Sequence, residues 1–141
     1  MNVETFYIEL NTSGNCDLVD ITGPVRDKVA ESGLESGTVT VFIPGSTAGL
    51  TTIEYENGAI SDFKAAVERL APRNIKYDHD TRWGDGNCFS HVRSAMLGPS
   101  LSVPFNRKQL LLGTWQQIVL VDFDNRPRSR KIILQLVGTE I

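Results

Sequence analysis

Two short runs near the C-terminus, Ile118-Val119-Leu120-Val121 and Ile132-Ile133-Leu134, most constrain what this chain can become. Successive side chains of a strand point to opposite faces. Strands that are apolar at consecutive positions therefore need cover on both sides. The helices legible in the chain can cover one face of a sheet. The other face requires either a sheet folded over it or a neighbouring subunit, and the pattern leaves both open.

The remaining elements follow from periodicity and punctuation. Residues 3–10 alternate with a period near two and read as a strand. A turn through Ser13-Gly14-Asn15 and a short strand over 17–21 follow. Thr22-Gly23-Pro24 starts a helix that reaches about Gly33, with Val25 and Val29 on one face. Thr38–Ile43 and Leu50–Tyr55 are strands on either side of the loop 44–49. Ile60, Phe63, Val67 and Leu70 mark a helix over about 59–70, ended by Pro72. A long loop, 73–87, leads to a third helix, 88–97. Asn87 is its expected N-cap, Phe89, Val92 and Met96 its expected core stripe, and Gly98-Pro99 its end. Strands over 100–105, 109–123 (broken near Gly113) and 131–137 complete the chain. The expected fold is α+β: one domain, residues 1–141, with a mixed, mostly antiparallel sheet and about three helices.

Charge and composition narrow the function. The net charge is −3 with acids and bases interspersed, which argues against a nucleic-acid partner. No apolar run approaches the roughly 20 residues of a membrane span, so no membrane partner is expected. The segment MNVETFYIEL has no basic region followed by a long apolar stretch, so a secretory signal is not expected either. Cys16 and Cys88 lie far apart and form neither a metal-type pair nor a disulfide framework. Reduced thiols in a cytoplasm are the expectation.

Four segments could carry chemistry. The small residues of Pro44-Gly45-Ser46-Thr47-Ala48-Gly49 read either as a plain turn or as an anion cradle of backbone N–H groups and two hydroxyls. Residues 77–91 hold the only two histidines, His79 and His91, with Asp78, Asp80, Asp85 and Asn87. Gly84 and Gly86 let that loop fold tightly, and Asn87 and His91 share a helix face. Two imidazoles and a carboxylate suit a divalent transition metal or acid–base work; the alternative is a surface histidine beside a capped helix. Trp115, beside Gln116, suits either stacking on a flat ring or a core position. Arg126, Arg128 and Arg130 crowd a turn and suit either phosphate recognition or a solvated hairpin. Glu54 and Glu56, read as sharing one side of a strand, suit Mg²⁺.

Four pieces occur together and in order: DIT at 20–22, GSTAGLTTIEYE at 45–56, GDGNCFSHVRSAMLGPS at 84–100, and LGTWQQIVLVDFDNRPRSRK at 112–131. On them the chain resembles the YjbQ family over nearly its whole length. The resemblance implies a compact α+β subunit that assembles as a homotrimer, with a polar pocket near the subunit contacts. It also implies a secondary thiamine-phosphate synthase activity, joining hydroxymethylpyrimidine pyrophosphate to thiazole phosphate with release of pyrophosphate. On that reading His79, Asp85, Asn87 and His91 are catalytic. Ser46, Thr47, Gly84, Gly86, Trp115, Gln116, Arg126, Arg128 and Arg130 bind a small phosphorylated ligand. His79, His91 and Asp85, with Glu54 or Glu56, hold a Mg or Zn ion. The alternative is a non-catalytic trimer that binds a metal or small ligand. Many family members carry histidine-threonine-threonine-alanine where this chain has Gly45-Ser46-Thr47-Ala48, so a three-histidine site would keep only His79 and His91 here.

Overall fold

The computed structural model describes residues 1–140. The chain runs β1 (Asn2–Thr12), β2 (Asp17–Asp20), α1 (Thr22–Glu31), β3 (Ser36–Phe42), β4 (Ala48–Ile53), α2 (Asn57–Leu70), α3 (Asp78–Trp83), α4 (Cys88–Leu97), β5 (Ser100–Asn106), β6 (Gln109–Leu110), β7 (Gln117–Asp122) and β8 (Arg128–Thr139). The strands form a five-stranded sheet, β1-β8-β3-β5-β6, and a three-stranded sheet, β2-β7-β4. Every pairing among the described residues is antiparallel. Three helices reach ten residues, as expected; the fourth, α3, is a six-residue turn inside the segment read as loop.

The doubly apolar run of β7 is satisfied within the chain, whereas Ile133 of β8 lies on the sheet's outer face. Ile118 and Leu120 of β7 face a core shared with Ile132, Leu134 and Leu136 of β8 and with Val25 and Val29 of α1. Val119 and Val121 face the other way, into a second cluster with Phe123, packed by Ile60, Phe63 and Val67 of α2 and Leu97 of α4. The second sheet therefore folds over the first, and two helices cover its outer side. The two-sided pattern of β7 does not by itself call for a partner subunit. The outer face of the five-stranded sheet is different. Val3, Tyr7, Phe42 and Val137 stay exposed there. Tyr7 and Phe42 both sit opposite Ile133, and Val3 and Thr38 both sit opposite Val137, so they form rows on one face.

Two local expectations are corrected. The buried face of α4 is Phe89, Ser90, Arg93 and Ser94, not Phe89, Val92 and Met96; Met96 is 57% exposed. The polar members are accommodated because each finds a partner. Arg93 Nε donates to the Ala71 carbonyl at 2.9 Å and its guanidinium pairs with Glu68, while Ser94 Oγ donates to the Ala48 carbonyl at 2.6 Å. The stretch 109–123 is broken about Gly113, as expected, but its two parts are separate strands in different sheets, β6 in the five-stranded and β7 in the three-stranded one. Between β6 and β7, residues 111–116 leave both sheets.

Candidate functional site

The helix α3 arises where Asp78 and Asp80 occupy the first turn and so complement the positive end of the helix. It ends at Gly84, whose φ of 70° is the left-handed conformation that glycine adopts without strain. The chain then turns back through Gly86 (φ 62°) into α4. Asn87 precedes α4 but its side chain does not cap it. The Asp80 carboxylate does so instead, accepting from the Cys88 N–H at 3.0 Å. Asp85 Oδ1 accepts from the Asn87 N–H at 3.3 Å.

This folding gathers His79, Asp80 and Asp85. His79 Nδ1 lies 3.6 Å from Asp80 Oδ1 and 3.5 Å from Asp85 Oδ1, too far for good hydrogen bonds. It is buried and has no hydrogen-bond partner. The ligand atoms of the three residues all lie within 4.8 Å of one another. Four ligands placed tetrahedrally at about 2.1 Å from a zinc-sized ion would sit about 3.4 Å apart. The two observed nitrogen–oxygen separations are close to that spacing, so the donor set fits a divalent cation. The His91 ring stands 4.8 Å from the His79 ring, tilted by 43°. Asp80 was read from the sequence as part of this segment but given no ligand or catalytic role. Only the turn of α3 carries it to the cluster, and nothing in the local pattern marked that turn. Burial first, and then the Asp80 carboxylate, push the Cys88 thiol up from its ordinary value, so it stays protonated near neutral pH.

Two of the three arginines expected to hold phosphate, Arg128 and Arg130, are committed elsewhere. Asp122 and Asp124 are fully buried. Arg130 donates from Nε and Nη2 to the two oxygens of Asp122, at 2.8 and 2.9 Å, and from Nη2 to Thr47 Oγ1 at 2.7 Å. Arg128 Nε donates to Asp124 Oδ2 at 2.9 Å. Thr47 is buried and donates to the same Asp124 oxygen at 3.0 Å, so the 44–49 loop is pinned through it, not open as a cradle. Ser46 and Arg126 remain exposed. Gly45, at φ 117°, sits where a Cβ would come within 3.3 Å of Arg130 Nη1. Asn87, expected to be catalytic, is buried and belongs to this network. Its Nδ2 donates to Asp124 Oδ1 at 3.4 Å, and its Oδ1 accepts from Ser90 Oγ and from the Asn125 N–H. Asn125 Nδ2 in turn donates to the Asp85 carbonyl at 3.4 Å. The ion network thus holds the loop that presents Asp85.

The glutamates do not share a strand. Chain β4 pairing ends at Ile53, and Glu56 caps α2 with both oxygens, accepting from Gly58 and Ala59 N–H at 3.0 and 2.7 Å. Glu54 is exposed. Trp115 is 72% exposed and not in the core. Gln116 lines a separate cleft, against Thr52.

Comparison with known proteins places these features in a family. The family model described as UPF0047 protein YjbQ-like matches residues 6–139. A UPF0047 protein of Methanothermobacter thermautotrophicus is 35% identical over 138 residues, covering 98% of this chain and 94% of that protein. A UPF0047 protein of Mycobacterium tuberculosis is 37% identical over 135 residues, covering 96% and 98%. The crystal structure of a YbjQ-like protein of unknown function from Sulfolobus solfataricus superimposes with a TM-score of 0.87 at 27% identity, over 97% of this chain and 99% of that one.

Proposed function

Because this chain belongs to the UPF0047 YjbQ-like family, we propose that it binds a divalent metal ion through His79, Asp80 and Asp85 and uses that site on a small phosphorylated ligand. The buried, unpartnered His79 Nδ1 between two carboxylates carries this reading. A buried polar atom without a partner is costly, and a cation would satisfy it together with both aspartates. Either Zn or Mg supplies charge neutralisation for phosphate oxygens when bound. His91, beside His79, is placed to bind ligand or move a proton.

The specific reaction we propose is the one the family resemblance implies, thiamine-phosphate synthesis. The thiazole nitrogen forms a bond to the pyrimidine methylene carbon, and the carbon–oxygen bond to pyrophosphate breaks. A non-catalytic metal- or small-ligand-binding protein is the second reading. It is favoured by the engagement of Arg128 and Arg130 with Asp124 and Asp122, which leaves Arg126, of the three in that turn, exposed. One experiment separates them. Purified chain with Zn²⁺ or Mg²⁺ and both precursors is expected to yield thiamine phosphate above a heat-killed control. Metal binding without product supports the second reading, and neither binding nor product overturns both.

We further propose a homotrimer in the cytoplasm. The uncovered face of the five-stranded sheet, with Val3, Tyr7, Phe42 and Val137 exposed, supports association; the number three comes from the family resemblance. The two free thiols fit a reducing compartment. No helix among the described residues is long and apolar enough to cross a membrane. The expected solution mass is three times that of the 15.6-kDa chain. A species at the single-chain mass at micromolar concentration would contradict the assembly.

A further inference from the structure

We infer that the pocket between α2 and α4 binds a small, uncharged, apolar molecule about the size of benzene. The pocket arises because α4 turns Arg93 and Ser94 inward and leaves Met96 57% exposed. The apolar stripe of α2 packs on the second cluster through Ile60, Phe63 and Val67, yet no residue of α2 is fully buried. Arg93 keeps the two helices from closing further. Its side chain, 4% exposed, bonds the Ala71 carbonyl at 2.9 Å and pairs with Glu68 in the last turn of α2. Closing the gap would displace this buried guanidinium from its partners, and a buried charge that loses its partners is costly. The void is therefore built into the fold.

The pocket holds about 160 Å³ and is half open to solvent. A cavity of roughly 150 Å³ lined by apolar side chains stays dry and takes up benzene. Phe63, Val67, Leu97 and Phe123 line the pocket, with Leu70 and Met96 exposed at its mouth. Arg93 is the one polar residue among its described lining residues, and its guanidinium is spent on Ala71 and Glu68. The Ala71 N–H is spent too, on the Val67 carbonyl at 2.9 Å. A polar or ionised ligand would give up hydration here without gaining a hydrogen bond, so the ligand class is apolar. Met96 suits such a wall, because its unbranched thioether adapts to the shape it meets. A protein partner fits less well. Leu70 and Met96 are the only large apolar residues exposed among the described lining residues, whereas a stable interface takes roughly 20–30 residues a side. The pocket shares no lining residue with the His79 cluster, and its occupancy needs no metal.

Benzene is the probe. Titrated into the full chain and followed by methyl NMR, it is expected to saturate and to shift the Val67, Leu70, Met96 and Leu97 methyl signals most. Benzoate, of similar shape but anionic, is expected to bind at least about tenfold more weakly. Val67→Phe fills the pocket and should abolish saturation, while the melting temperature holds or rises. Met96→Ala, at an exposed position where folding is not at stake, removes part of the wall and should weaken benzene about tenfold. Failure of benzene to saturate, equal binding of benzoate, or undiminished benzene binding in Met96→Ala would overturn the assignment. So would saturation by benzene in a folded Val67→Phe chain. Methyl signals of the pocket that move on dilution of the ligand-free chain would also overturn it, by giving the pocket to contact between copies.

Discussion

Replacing Asp124 by alanine is expected to cost about 3–5 kcal/mol of unfolding free energy, the range for removing one partner of a buried ion pair. Asp124 is fully buried and receives bonds from Thr47, Arg128 and Asn87. Its loss leaves these donors facing a cavity and frees the 44–49 loop and the start of α4 together. Urea unfolding followed by circular dichroism reads the effect; a loss below about 1 kcal/mol would show that the network behaves like a surface pair. The same residue fixes the sign of the pH dependence. Burial alone would push its carboxyl up, but the Thr47 hydroxyl and then the Arg128 and Arg130 guanidiniums outweigh burial and hold it below its ordinary value of 3.8. A group depressed in the folded state contributes stability that is present above its unfolded value and lost as pH falls through its folded value. The stability advantage of the natural chain over Asp124→Asn should therefore hold at neutral pH and shrink once pH drops below about 3.8.

Replacing His79 by alanine should abolish metal-induced stabilisation. With zinc at about a hundred times its dissociation constant, the natural chain gains roughly 3 kcal/mol, a rise of about 10 °C in melting temperature for a domain of this size. His79→Ala should show no such rise, while the metal-free protein loses no more than about 1 kcal/mol, because the ring is outside both apolar clusters. His91→Ala should retain part of the shift, since His91 flanks the three-residue cluster and is not a member of it. An undiminished zinc response in His79→Ala would remove the cation site. A large loss of metal-free stability would make the histidine structural.

Much of the fold was legible because it rests on local pattern. The period of two in β1, the helical spacing of Ile60, Phe63 and Val67, and the terminators Pro72 and Gly98 act within a few residues of themselves. The convergence of His79 and His91 was also legible, since one short segment carries both. The identity of the buried face of α4 was not. Apolarity marks Val92 and Met96, but burial went to Arg93 and Ser94, because the Ala71 and Ala48 carbonyls and Glu68 meet them there. Nor could the arginine-rich turn disclose its partners. Arg128 and Arg130 look free in a hairpin until the fold places Asp122, Asp124 and Thr47 against them. By itself, then, the sequence determined the elements and the pairing of chemistry within residues 77–91. Tertiary structure alone decided which polar groups are spent on each other, because a side chain's availability depends on partners far along the chain: Arg130 bonds Thr47, 83 residues away, and Thr12 bonds Asp122, 110 residues away.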